Sequence, residues 1–183
     1  MRTGPSASAV SLLKPSLRYR SIDEEGVTIM RSLGGVLALL FALVFSGVAV
    51  GASATLTKAQ YIAKLRAANA ASSRADDAAS AAAGSNTAAP TRVKSLLMAM
   101  GREHVAIGRE FSALVPPTSA AKANRDFAHA EIVFGDQNEA IAQKLPTSSR
   151  SAMLKYLHAV KPPSGGAMLD HAIKELHTAG FRI

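Results

Sequence analysis

The sequence predicts an all-α fold, an antiparallel four-helix-bundle-like arrangement of five helices in which two short helices together fill the fourth position. Only 5% of the chain is aromatic, and alanine supplies much of its 48% hydrophobic content, which suits closely packed helices better than a sheet. Large apolar residues recur alternately every three and four positions, the spacing of helices that pack side by side. Prolines separate these stretches, and short connections make neighbouring helices antiparallel.

The first helix is predicted over residues 57–83. Thr57 and Gln60 have the spacing of a capping box, which marks its start. From Arg66 to Pro90 no apolar residue is larger than alanine, so we expect this stretch to be the least stable part of the domain. The last residues before Pro90, 84–89, have the composition of a flexible linker. The predicted division is therefore 55–90 for the first helix with its linker and 91–183 for the bundle core.

Four more helices follow, at about residues 91–115, 118–145, 148–160 and 165–179. In the second, a seven-residue repeat begins at Gly101 and again at Gly108, which indicates a packing seam. The seam of the second helix comprises Val93, Leu97, Met100, His104, Ile107, Phe111 and Leu114. The seam of the third comprises Phe127, Glu131, Phe134, Asn138, Ile141 and Leu145. At the end of the chain, Gly180 is expected to cap the last helix in a left-handed conformation, with Phe181 folded back.

One ionisable residue lies on each seam, His104 on the second helix and Glu131 on the third. In an antiparallel hairpin centred on Pro116 and Pro117, equal steps from the turn place these two residues opposite each other. The same counting sets Ile107 opposite Phe127, Met100 opposite Phe134 and Val93 opposite Ile141. A buried polar group is costly without a partner, so we expect a structural His104–Glu131 pair. A metal ligand pair or a pH-sensitive switch at these positions stays an alternative.

An export segment is predicted at residues 30–54. A single positive charge at Arg31 precedes an apolar run, and Ala52 and Ala54 form the small-x-small pattern that signal peptidase accepts, so cleavage is expected before Thr55. Residues 1–29 then represent an over-extended start or a tail. The alternative is an uncleaved anchor that spans the membrane through residues 33–52. Either outcome places the domain outside, secreted or bound to the cell envelope.

The charge of the chain limits its partners. The formal net charge is +8, but the basic residues are scattered along the helices without a basic block or interleaved aromatics, which argues against nucleic acid. An unknown protein or an anionic envelope component is the expected partner. The chain has no cysteine, which excludes a disulfide framework, a thiolate metal site and a cysteine nucleophile.

Four short segments carry a family resemblance: residues 56–63 (LTKAQYIA), 114–117 (LVPP), 165–170 (GGAMLD) and 179–183 (AGFRI). Together they resemble a loose group of exported all-helical proteins from high-GC Gram-positive, actinobacterial-type bacteria. The resemblance implies an exported helical domain. The group has no established activity, so it implies no functional residues. Many of its members have a cysteine near the position of Asn69, and no shared disulfide is implied here.

No catalytic motif is evident. Five histidines invite a metal interpretation, but the nearest approach to a bundle metal motif is Asp126-x-x-His129, which faces away from the apolar seam. Asp76 and Asp77 are expected to be a solvated pair. The sequence therefore predicts a non-enzymatic exported interaction module without a cofactor. The alternative is a metal- or small-ligand-binding helical bundle, with His104 and Glu131 as its weak metal candidates.

Overall fold

A computed structural model describes residues 54–182 and confirms the all-α prediction. Within that range it contains five α-helices and no strand. They are α1 (Lys58–Gly84), α2 (Pro90–Ala113), α3 (Ala121–Lys144), α4 (Arg150–Ala159) and α5 (Ser164–Thr178). The segment predicted at 1–29 lies outside the described residues, and so does the export segment predicted at 30–54 except for its last residue, Ala54. Of the helices described, none is both long and apolar enough to cross a bilayer.

Local signals in the sequence fix both ends of this domain. At the start of α1, the Thr57 hydroxyl accepts from the Gln60 backbone N–H while the Gln60 side chain accepts from the Thr57 N–H, so the capping box is confirmed. After α5, Gly180 has a φ of 84°. The backbone N–H of Phe181 donates to the Leu176 carbonyl at 2.9 Å. The predicted left-handed ending is therefore confirmed.

Two apolar clusters form the core. α1, α2 and α3 contribute to both, α5 completes the first and α4 the second. The first includes Tyr61, Leu65, Ile107, Phe111, Phe127, Leu169, Ile173 and Leu176. The second includes Ala79, Ala82, Ala83, Val93, Leu97, Met100, Ala142, Met153 and Leu157. The two short helices thus share the fourth position of the bundle, and the alanines of α1 are small enough to be buried in its core.

The connection between α2 and α3 is longer than the tight turn that we expected at Pro116 and Pro117. Residues 114–117 lie outside any helix, and a 3-10 turn over Thr118–Ala120 precedes α3. As a consequence the pairing of the two helices is displaced from the counted one. Phe134, expected opposite Met100, instead places its ring 4.7 Å from the ring of His104.

Glycines set the close approach of α2 and α3. A Cβ atom at Gly101 would lie 2.8 Å from the Gly135 carbonyl oxygen, and one at Gly108 would lie 2.7 Å from that of Ala128. Real Cβ atoms essentially never come so close. The seven-residue repeat therefore marks two points of backbone contact as well as an apolar seam.

Candidate functional site

The strongest polar constellation among the described residues centres on His104. This histidine is only 1% exposed, and its Nδ1 lies 2.5 Å from Oε2 of Glu131 on α3. The predicted contact between the two seam residues is therefore confirmed. The ring of Phe134 meets the imidazole edge to face. The edge-to-face contact and the hydrogen bond hold the imidazole in one orientation.

A third residue completes the cluster, and the sequence interpretation missed it. Nε2 of His104 lies 3.1 Å from Oδ1 of Asp76 on α1, whose side chain is 14% exposed. The expectation of a solvated Asp76 was therefore wrong. A signal was present, because Asp76 continues the three- and four-residue spacing of the buried positions Leu65, Ala68 and Ala79. We call Asp76, His104 and Glu131 the buried triad.

Both imidazole nitrogens of His104 face carboxylate oxygens, which only accept when ionised. A neutral imidazole has one N–H, whereas the imidazolium has two and can donate to both partners. Burial disfavours the charged ring, but the hydrogen bonds to Asp76 and Glu131 outweigh it and raise the pKa of His104 to about 9. Burial also raises the pKa of Glu131, and His104 opposes that rise. His104 is therefore an imidazolium at neutral pH.

This protonation state restricts the chemistry of the buried triad. A general base or a metal ligand needs a free nitrogen lone pair, and an imidazolium has none, because both of its nitrogens donate N–H to the carboxylate oxygens that face them at 2.5 and 3.1 Å. No group of three or more histidine and acidic side chains in residues 54–182 is arranged to hold a metal ion. The triad instead suits a structural task. It joins α1, α2 and α3 through the contacts of His104 with Asp76 and Glu131.

A second buried network ties the same three helices together. The Tyr61 hydroxyl donates to Oδ1 of Asn124 at 2.9 Å, and the Asn124 amide donates to the Phe111 carbonyl at 2.9 Å. Burial raises the pKa of Tyr61 above its ordinary value. α1 is thus attached by polar contacts at Tyr61 and at Asp76, in addition to its alanine packing.

Two surface depressions adjoin His129, which is exposed on α3. One is lined by Asp126, His129, Met168 and His171 between α3 and α5. Among its polar groups, the Asp126 carboxylate accepts from Lys122 at 2.7 Å, and Nδ1 of His171 lies 4.0 Å from Glu175. The other has a volume of about 430 Å³ and lies between the end of α2 and the first half of α3. We call it the Arg125 groove.

The predicted cleavage site lies at the edge of the described range. Ala52 is outside it, while Ala54 and Thr55 are exposed residues that precede α1. Comparison of the chain with protein-family models, curated proteins and solved structures finds no match.

Proposed function

We propose that this protein is an exported, non-enzymatic helical module that acts by binding another protein or an anionic component of the cell envelope. The observation that carries the proposal is that the residues of the buried triad are shielded from solvent and bind one another. Its residues are the converging ionisable groups of the core, they are at most 14% exposed, and they satisfy one another. No substrate can reach them without opening the bundle. Activity is therefore assigned to the surface.

The surface charge supports an anionic partner. Of the 21 Lys and Arg residues, 16 follow Ala54, as do 10 of the 13 acidic residues. Asp76 and Glu131 are committed to His104 inside the bundle, so the surface is more basic than the composition suggests. A basic surface attracts anionic polymers and headgroups by long-range electrostatics. The export segment predicted at 30–54 supports the compartment in which such partners occur.

Co-sedimentation of the mature protein with an envelope fraction tests this proposal. We expect binding at low ionic strength that weakens as salt is added, because screened charges attract each other less. Retention of the protein in the supernatant at every salt concentration would contradict the proposal. Salt-independent binding would instead point to an apolar interface with a protein.

A small-ligand-binding role is the second candidate, and the Arg125 groove favours it. Its volume of about 430 Å³ lies within the range of roughly 300–1,000 Å³ typical of ligand pockets. Metal analysis of the protein purified from its native source tests the metal form of this alternative. Stoichiometric zinc or iron would support that form over the envelope-binding role.

A further inference from the structure

Part of the lining of the Arg125 groove is apolar. Its apolar lining comes from the chain that leaves α2 and from α3, and comprises Leu114, Pro116, Ala121, Ala128 and Ile132. Next to it in sequence, Val115 is 38% exposed and is one of two large apolar side chains exposed in the part of the chain that the structure describes. An apolar group of modest size that covers this part of the lining would release water from it.

The polar groups of the groove differ in what they can offer a ligand. Asn124 is engaged with Tyr61 and Phe111. Ser112 donates to the Gly108 carbonyl at 2.8 Å. Arg125 and His129 are exposed, and Arg125 acts on the neighbouring Asp126 through its charge. The donors available to a ligand therefore come from these two side chains, one helical turn apart on α3.

The charge of the groove selects an anion. Arg125 is the only permanently charged residue in its lining, and no acidic residue lines it. The adjacent carboxylate, Asp126, does not line the groove; its pKa is lowered mainly by the hydrogen bond from Lys122 at 2.7 Å, and the charge of Arg125 adds to that lowering. A guanidinium binds a carboxylate through two parallel N–H donors. One cation matches one negative charge, so a monocarboxylate fits better than a doubly charged phosphate.

We propose that the Arg125 groove binds a monocarboxylate with a short apolar chain, such as a medium-chain fatty acid. The carboxylate lies on the guanidinium of Arg125, the imidazole of His129 donates a further hydrogen bond, and the chain lies over Leu114, Pro116 and Ile132. This inference rests on the proposed binding role of the protein and gives it a site and a ligand class. No covalent step is involved.

Calorimetric titration of the full-length protein with octanoate tests the inference. We expect saturable binding at one site with a Kd below about 1 mM. Octanol, which keeps the chain without the charge, and acetate, which keeps the charge without the chain, should each bind at least tenfold more weakly. Absence of saturable octanoate binding, or equal binding of octanol, would overturn the inference.

Three variants locate the site. Arg125→Ala should weaken octanoate binding at least tenfold, and Arg125→Lys should recover part of the loss because it restores the charge without the planar fork. Arg66→Ala removes an exposed arginine from α1 and serves as the matched control, with an expected change below twofold. Equal losses from Arg125→Ala and Arg66→Ala would show a general charge effect and overturn the assignment.

The envelope assay separates this inference from the proposed function. A protein that sediments with envelope material but does not bind octanoate refutes the groove ligand alone. One that binds octanoate through Arg125 but never sediments with the envelope refutes the proposed partner class and keeps the groove.

Discussion

Raising the pH above neutrality should destabilise the domain through His104. Its pKa rises from 6.5 to about 9 on folding. Because each tenfold change in proton affinity is worth about 1.4 kcal/mol, this rise contributes roughly 3 kcal/mol of stability. Because the pKa is higher in the folded state than in the unfolded chain, this stabilisation is fully present below pH 6.5 and is lost as the pH rises through about 9. Above that value, a neutral imidazole with one N–H cannot satisfy both Asp76 and Glu131.

Urea unfolding between pH 6 and pH 10 measures this loss. The range stops there because deprotonation of Tyr61, whose pKa burial raises, adds a second loss at higher pH. His104→Gln serves as the control, because glutamine is uncharged at every pH and cannot titrate. The difference in free energy of unfolding between the wild type and this variant should shrink by about 3 kcal/mol as the pH rises from 6 to 10. A difference that stays constant with pH would refute the assignment of a charged, doubly bonded His104.

Three further predictions concern stability and processing. Glu131→Ala should lower the free energy of unfolding by about 3 kcal/mol at pH 7, measured by urea unfolding, because it leaves the buried charge of His104 half paired. Asp136→Ala, at an exposed position on the same helix, should change it by less than about 0.5 kcal/mol. Equal effects of the two substitutions would contradict the pairing. Gly101→Ala should lower the melting temperature and reduce the free energy of unfolding by about 2 kcal/mol. Gly166→Ala should be tolerated, because its new Cβ would lie 3.7 Å from the nearest neighbouring atom. Intact-mass analysis of the native protein should find Thr55 at its N-terminus, and peptides from residues 1–29 would contradict both cleavage and the late start.

Much of the fold follows from short-range signals in the sequence. The capping box at Thr57, the proline breaks and the glycine ending at Gly180 act within a few residues, so each helix end was predicted to within about three residues. The α2–α3 register was harder, because the 3-10 turn over Thr118–Ala120 adds length that a tight proline turn lacks. His104 and Glu131 still meet, because long side chains can bridge a modest displacement along the helices.

Other features needed the three-dimensional structure. Asp76 was missed because residues 85–89 leave the register of α1 against α2 unspecified, and an aspartate in an alanine-rich helix normally faces water. The glycine contacts were missed because a heptad pattern locates a seam without giving the distance between two backbones. The Arg125 groove depends on the path of residues 114–117 over α3, which no local pattern encodes.

The charge state of His104 decides whether the buried triad is purely structural, with no nitrogen lone pair free for chemistry. Nitrogen-15 NMR of the imidazole at pH 7 measures this charge state directly. We expect both Nδ1 and Nε2 to show the shifts of a protonated imidazolium, with N–H protons protected from exchange by their hydrogen bonds to Glu131 and Asp76. A single unprotonated nitrogen at pH 7 would contradict this expectation. It would reveal a free lone pair in the core, and the chemistry excluded for the buried triad would have to be considered again.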